Sequence, residues 1–197
     1  MFRSLADPDA GHLENCPLDE VLAHEFGHWI VAEEVGIRPE GIAVYGIVYD
    51  GLRAIASKGA GVPFSTTFRP SHDEAAMYAA GHVAEHLYKR ATTNPSNLYD
   101  SFLADASCLY DLAQVRDVLR GLDPIRYTDE SSLADGVTKA LRVALDILAP
   151  RADCLARESR LVASDAIKKK SETLELSWNV ALTARLCDRS PDWYEVP

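Results

Sequence analysis

Apolar positions Leu18, Val21, Leu22, Phe26, Trp29, Ile30 and Val31 recur at the spacing of one helical face. The spacing predicts a helix over residues 17–35. Pro17 suits a first helical position, and Asp19 and Glu20 suit the positive end of the helix dipole. Gly36 is placed to end this helix, with Pro39 just beyond. Residues 42–48 are rich in β-branched and aromatic types, Asp50-Gly51 is a turn signal, and residues 52–56 can return as a second strand. A loop is expected over 58–70, as a plausible substrate-facing edge.

Ser71-His72-Asp73-Glu74 has the form of a capping box and opens a helix over about 72–90. Further helices are expected over about 97–120, 131–148, 151–169 and 172–187. Together these make a mainly α fold with a small β hairpin or sheet, in a single helical domain over 17–188. Residues 1–16 read as an N-terminal arm, and 189–197 as an irregular tail.

Composition narrows the function. The 197 residues carry a formal net charge of −10, with 47% hydrophobic residues. An acidic chain lacks the basic patch of a nucleic-acid binder. No apolar run approaches the roughly 20 residues of a membrane helix, and the N-terminus lacks the apolar core of a signal peptide. We therefore expect a cytoplasmic protein with no nucleic-acid or membrane partner. The four cysteines form no Cys-x-x-Cys pair, so a thiolate zinc motif and a redox motif are both disfavoured.

The candidate chemistry lies in the first helix, at His24-Glu25-Phe26-Gly27-His28. Histidines four apart differ by about 40° around a helix axis and one turn along it, so both imidazoles can reach one ion. Zn2+ accepts neutral imidazole and keeps a position open for water in catalytic sites. It lowers the pKa of that water from about 15.7 toward 7. Glu25 stands beside the first ligand as a general base that can take the water's proton. The bland alternative is a helix whose two histidines are merely hydrogen-bonded in the core. The metzincin extension is excluded, because it needs Gly at 31 and His at 34 where the chain has Val31 and Glu34.

The stretch LAHEFGHWIVAEEVGI resembles the peptidase domain of the FtsH-type, AAA-linked zinc metalloproteases, which carry a His-Glu-Ala-Gly-His helix followed by small and apolar residues. AAGHVAEHLY (79–88) resembles that family's Ala-Gly-Arg-x-Ala-Glu-Glu helix, and DASCLYDLAQ (105–114) resembles the helix that begins with its third zinc ligand, an aspartate. The resemblance implies a zinc endopeptidase acting on peptide or unfolded protein. It offers Asp105 or Asp100 as third ligand. On one continuous helix, Asp105 shares the apolar face of Leu98, Leu109, Leu112 and Leu119, whereas Asp100 shares the face of Ser107, Asp111 and Gln114. A carboxylate on an apolar face needs a partner that a metal supplies, so we choose Asp105 over Asp100. No G-x-x-x-x-G-K-[ST] loop occurs, so a stand-alone relative without the ATPase is expected, its oligomeric state left open.

His82-Val83-Ala84-Glu85-His86 reads as the inverted motif H-x-x-E-H. We favour the first motif as the site; Glu85, His82 and His86 are then either hydrogen-bonding residues that orient the ligands or exposed polar residues of an amphipathic helix. The competing function is a catalytically inactive metal-binding or protein-interaction module on the same fold.

Overall fold

The computed structural model describes residues 16–50, 53–62, 70–90, 94–170 and 172–189. The described residues are mainly helical, with a small antiparallel sheet. In chain order they form β1 (Cys16–Pro17), α1 (Leu18–Glu34), β2 (Gly41–Asp50), β3 (Arg53–Gly61), α2 (His72–Tyr88), α3 (Pro95–Ala104), α4 (Leu109–Leu122), α5 (Glu130–Leu148), α6 (Ala152–Lys169), β4 (Thr173–Ser177) and α7 (Val180–Leu186). Short 3-10 turns, Ala106–Cys108 and Ala149–Arg151, precede α4 and α6. No helix among the described residues is long and apolar enough to cross a membrane.

α1 is buried nearly all round, with Leu22, Phe26, Trp29 and Ile30 at its centre. A helix apolar on every side belongs inside a fold, and here α2, α5, α6 and β3 pack around it. Burial of each Phe- or Leu-sized side chain contributes about 1.5–3 kcal/mol. The single buried polar atom of Trp29 is satisfied: its Nε1 donates to Thr183 Oγ1 at 3.2 Å. Pro17 stands one residue before the helix and makes no side-chain capping bond to it. At its end the Ile37 N–H donates to Ala32 O at 2.7 Å and the Gly36 N–H to Glu33 O at 3.3 Å. This is a Schellman closure, and it requires the left-handed backbone of Gly36 (φ 78°).

α2 approaches α1 closely because its facing residues are small. A Cβ on Gly27 would collide with Ala84 and with the carbonyl of Ala80. The start of α2 follows its capping signal, with Ser71 Oγ accepting from the Glu74 N–H at 3.0 Å.

The sheet order is β1-β3-β2-β4, with every pairing antiparallel. β2 and β3 form the expected hairpin, with Asp50 opposite Arg53 and a bulge between Tyr45 and Ile47, where Gly46 takes φ 65°.

Three expectations are corrected. β3 runs on to Gly61, so the loop expected over 58–70 begins later; residues 63–69 lie outside the described residues. The helix expected over 172–187 is strand β4 followed by α7. Leu174 and Leu176 alternate with more exposed Thr173, Glu175 and Ser177, a period of two, and Ile42 pairs with Leu176. The helix expected over 97–120 breaks after Ala104. Asp105 adopts an extended backbone (φ −85°, ψ 109°) and caps the 3-10 turn that follows. Of the expected N-terminal arm, Cys16 lies in β1 and residues 1–15 fall outside the described residues. Of the expected tail, only Arg189 is described, and it ion-pairs with Glu34.

Candidate metal centre

His24 and His28 project from the middle of α1 across its contact with α2. Their Nε2 atoms lie 3.0 Å apart. Asp111, two residues into α4, places Oδ2 at 3.0 Å from His24 Nε2 and 3.4 Å from His28 Nε2. Three ligand atoms from two helices thus converge on one point.

The other ring nitrogens determine what this convergence means. His24 Nδ1 is 2.7 Å from Glu85 Oε1, and His28 Nδ1 is 2.7 Å from the Met77 carbonyl oxygen. A carbonyl and an ionised carboxylate can only accept, so both Nδ1 atoms carry hydrogens. In neutral rings both Nε2 lone pairs then face each other and the Asp111 carboxylate. Three acceptors this close repel unless they share a cation or protons. Tetrahedral zinc with imidazole and carboxylate ligands would space these atoms by about 3.3 Å, close to the distances found. The residues present fit a metal ion, and His24, His28 and Asp111 could hold one.

Space is kept for the cluster by Gly81 of α2, where a Cβ would run into the Nε2 atoms of both histidines. Glu25 is 5% exposed and lies near enough to feel the charges of His24, His28, Asp111 and Glu85. Its Oε2 is buried and has no hydrogen-bond partner, which is costly for a carboxylate unless a ligand or water meets it.

The electrostatics are those of a cation site holding protons. Burial of the His24 ring opposes its charging, but the Asp111 and Glu85 carboxylates outweigh that, and its pKa lies well above the ordinary 6.5. His28 is raised too, its burial outweighed mainly by Asp111. Asp111 resists ionisation through its burial, yet the two histidines hold it well below the usual carboxylate range. Glu85 is likewise buried, but its bond to His24 draws it down to about 2. Burial pushes Glu25 up.

Neither proposed third ligand joins the histidine pair. Asp100 is exposed on α3. Asp105 accepts from the Ser107 N–H at 2.9 Å and from Ser107 Oγ at 2.6 Å, and its Oδ2 lies 4.0 Å from His82 Nδ1. The reason is the break at Asp105. A continuous helix would have aligned Asp105 with the apolar face, whereas the kink resets the phase and turns Asp111 inward. Asp105-x-Ser107 is itself a local capping signal that could have marked the break.

In the second motif, Glu85 orients His24 as described. His82 and His86 do not reach the His24 pair; their Nε2 atoms lie 2.8 and 3.1 Å from Ser101 Oγ. His82 also stacks on Phe102 at 4.9 Å between ring centroids. Burial lowers the pKa of His82 to about 4, so its ring is neutral. No protein-family model matches the chain, and no curated protein matches it.

Proposed function

We propose that the chain is a zinc-dependent peptidase, with His24, His28 and Asp111 as ligands and Glu25 as general base. The observation that carries this is the pinning of both Nδ1 atoms by Glu85 and Met77, which turns two Nε2 lone pairs toward the Asp111 carboxylate, while the buried Glu25 Oε2 is left without a hydrogen-bond partner. Bound there, zinc would acidify a water molecule and polarise a carbonyl group. Glu25 takes the water's proton and returns it to the leaving amine. Glu85 holds the His24 ring in one tautomer and adds negative charge behind it.

The choice of peptide bonds over other substrates rests on the resemblance to the FtsH-type peptidase domain, with Asp111 in the place first given to Asp105. We place the protein in the cytoplasm on its cysteines, none of which forms a disulfide among the described residues. The test is a protease assay on an unfolded protein substrate, paired with metal analysis. E25Q should retain zinc and lose about 100-fold or more of the activity. Undiminished hydrolysis by E25Q would overturn the mechanism. Zinc bound without hydrolysis of any peptide would favour the inactive binding module.

A further inference from the structure

A second group of ligand atoms lies beside the first. Cys108 Sγ is 3.4 Å from His82 Nδ1, and Asp105 Oδ2 is 4.0 Å from the same nitrogen. His82 is 1% exposed and Cys108 fully buried, while the Asp105 side chain is 34% exposed.

The hydrogen-bond accounting around Ser101 fixes the state of His82. The Ser101 hydroxyl donates to Leu98 O at 3.0 Å, which leaves its oxygen to accept from the Nε2 atoms of His82 and His86. His82 therefore carries its hydrogen on Nε2 and presents the Nδ1 lone pair to Cys108 and Asp105. Asp105 spends Oδ1 on the N–H and hydroxyl of Ser107, which leaves Oδ2 turned toward His82. One nitrogen, one sulfur and one oxygen ligand atom thus lie within 4.8 Å of one another, the nitrogen and the oxygen each set by hydrogen bonds made by the other end of the side chain.

We propose that His82, Asp105 and Cys108 form a second metal site, which takes a thiophilic divalent ion such as zinc. The nitrogen–sulfur separation of 3.4 Å matches the about 3.5 Å edge of a tetrahedral imidazole–thiolate centre. Asp105 is the loosest and the most exposed of the three, so it is the ligand free to close on the ion. Cys108 binds as thiolate and releases its proton to solvent.

The ion would act structurally. It joins α2 to the 3-10 turn that starts α4, and Asp111 follows Cys108 by three residues. It would hold the beginning of α4 at the distance from α2 that keeps Asp111 opposite His24 and His28. The assignment does not depend on the first site being catalytic.

The test is titration of the metal-free chain with Co2+, read as thiolate-to-cobalt charge transfer in the near ultraviolet and as ions bound per chain. The wild type should show the band, and so should C16S and the double variant H24A/H28A. C108S, an isosteric change suited to the buried position, should lose the band, and H82Q should lose it too. No band in the wild type at saturating cobalt overturns the site. So does a band lost in C16S but kept in C108S, or one lost in H24A/H28A, which would assign the sulfur to the first centre. Failure of the first site reads separately: H24A/H28A would then leave the number of bound ions unchanged.

Discussion

His24 and Glu85 are 61 residues apart in sequence, yet the Glu85 carboxylate accepts a 2.7 Å hydrogen bond from His24 Nδ1. The same glutamate belongs to the inverted motif His82-x-x-Glu85-His86. The two motifs are therefore not rival sites at this position. The glutamate of one sets the tautomer and charge of the histidine of the other.

Removing that support should weaken metal binding without abolishing it. E85A is expected to lower zinc affinity by about 10- to 100-fold, and E85Q by less, because an amide oxygen still accepts from Nδ1. Competition against a chromophoric chelator measures this. Equal affinity in wild type and E85A would mean that the hydrogen bond does not tune the ligand.

The third ligand can be settled by comparing three aspartates. D111A should lose zinc from the histidine centre, whereas D100A should retain it, since Asp100 is exposed on α3. D105A should lose the cobalt–thiolate band and weaken the histidine centre only indirectly, through the placement of Asp111, so it should retain more zinc there than D111A. Metal content after extensive dialysis decides between these assignments, and retention of zinc by D111A would remove Asp111 from the set.

Proton competition sets the pH dependence. In the metal-free protein His24 and His28 are raised above 6.5, so their protonated forms stabilise the fold. That stability is fully present below 6.5 and is lost as the pH rises through the raised values. Glu25 acts in the same sense, since its raised pKa makes ionisation unfavourable to the fold above 4.5. His72, His82 and His86 are lowered below 6.5 and act in the opposite sense until the unfolded chain's histidines have lost their protons, so the melting temperature of the metal-free chain should fall as the pH is raised above about 7.5, and zinc should restore more of it at higher pH. Zinc uptake should release protons, measurable with a pH indicator in weak buffer. A metal-free melting temperature that rises over this range would contradict the assignment.

Gly81 is a steric requirement of the site. G81A drives a methyl group against His24 and His28 and should cost about 1–3 kcal/mol as well as the bound metal. Thermal melts with and without zinc separate the two losses. Full zinc binding by G81A would show that the rings have room to move.

Local pattern determined much of this protein. The apolar spacing of α1, the Gly36 closure, the Ser71 cap and the pairing of β2 with β3 are short-range effects, settled by backbone geometry within a few residues. The pairing of His24 with His28 is of the same kind, because helical pitch alone brings i and i+4 together. β4 reads wrongly as helix in the sequence, because the short alternation of Leu174 and Leu176 competes with a helical pattern until its partner strand is known.

Only the tertiary structure decided the rest. Asp111 reaches the histidines because the chain kinks at Asp105, which changes the face that every later residue presents. Glu85 and Met77 reach them because α2 lies against α1 across small residues. Periodicity gives the phase of a helix only while the helix is unbroken, and it gives nothing about which helix lies opposite. Side chains contributed from a distance depend on both, so the sequence singled out His24 and His28, and the packing of α2 and α4 brought Asp111 to them.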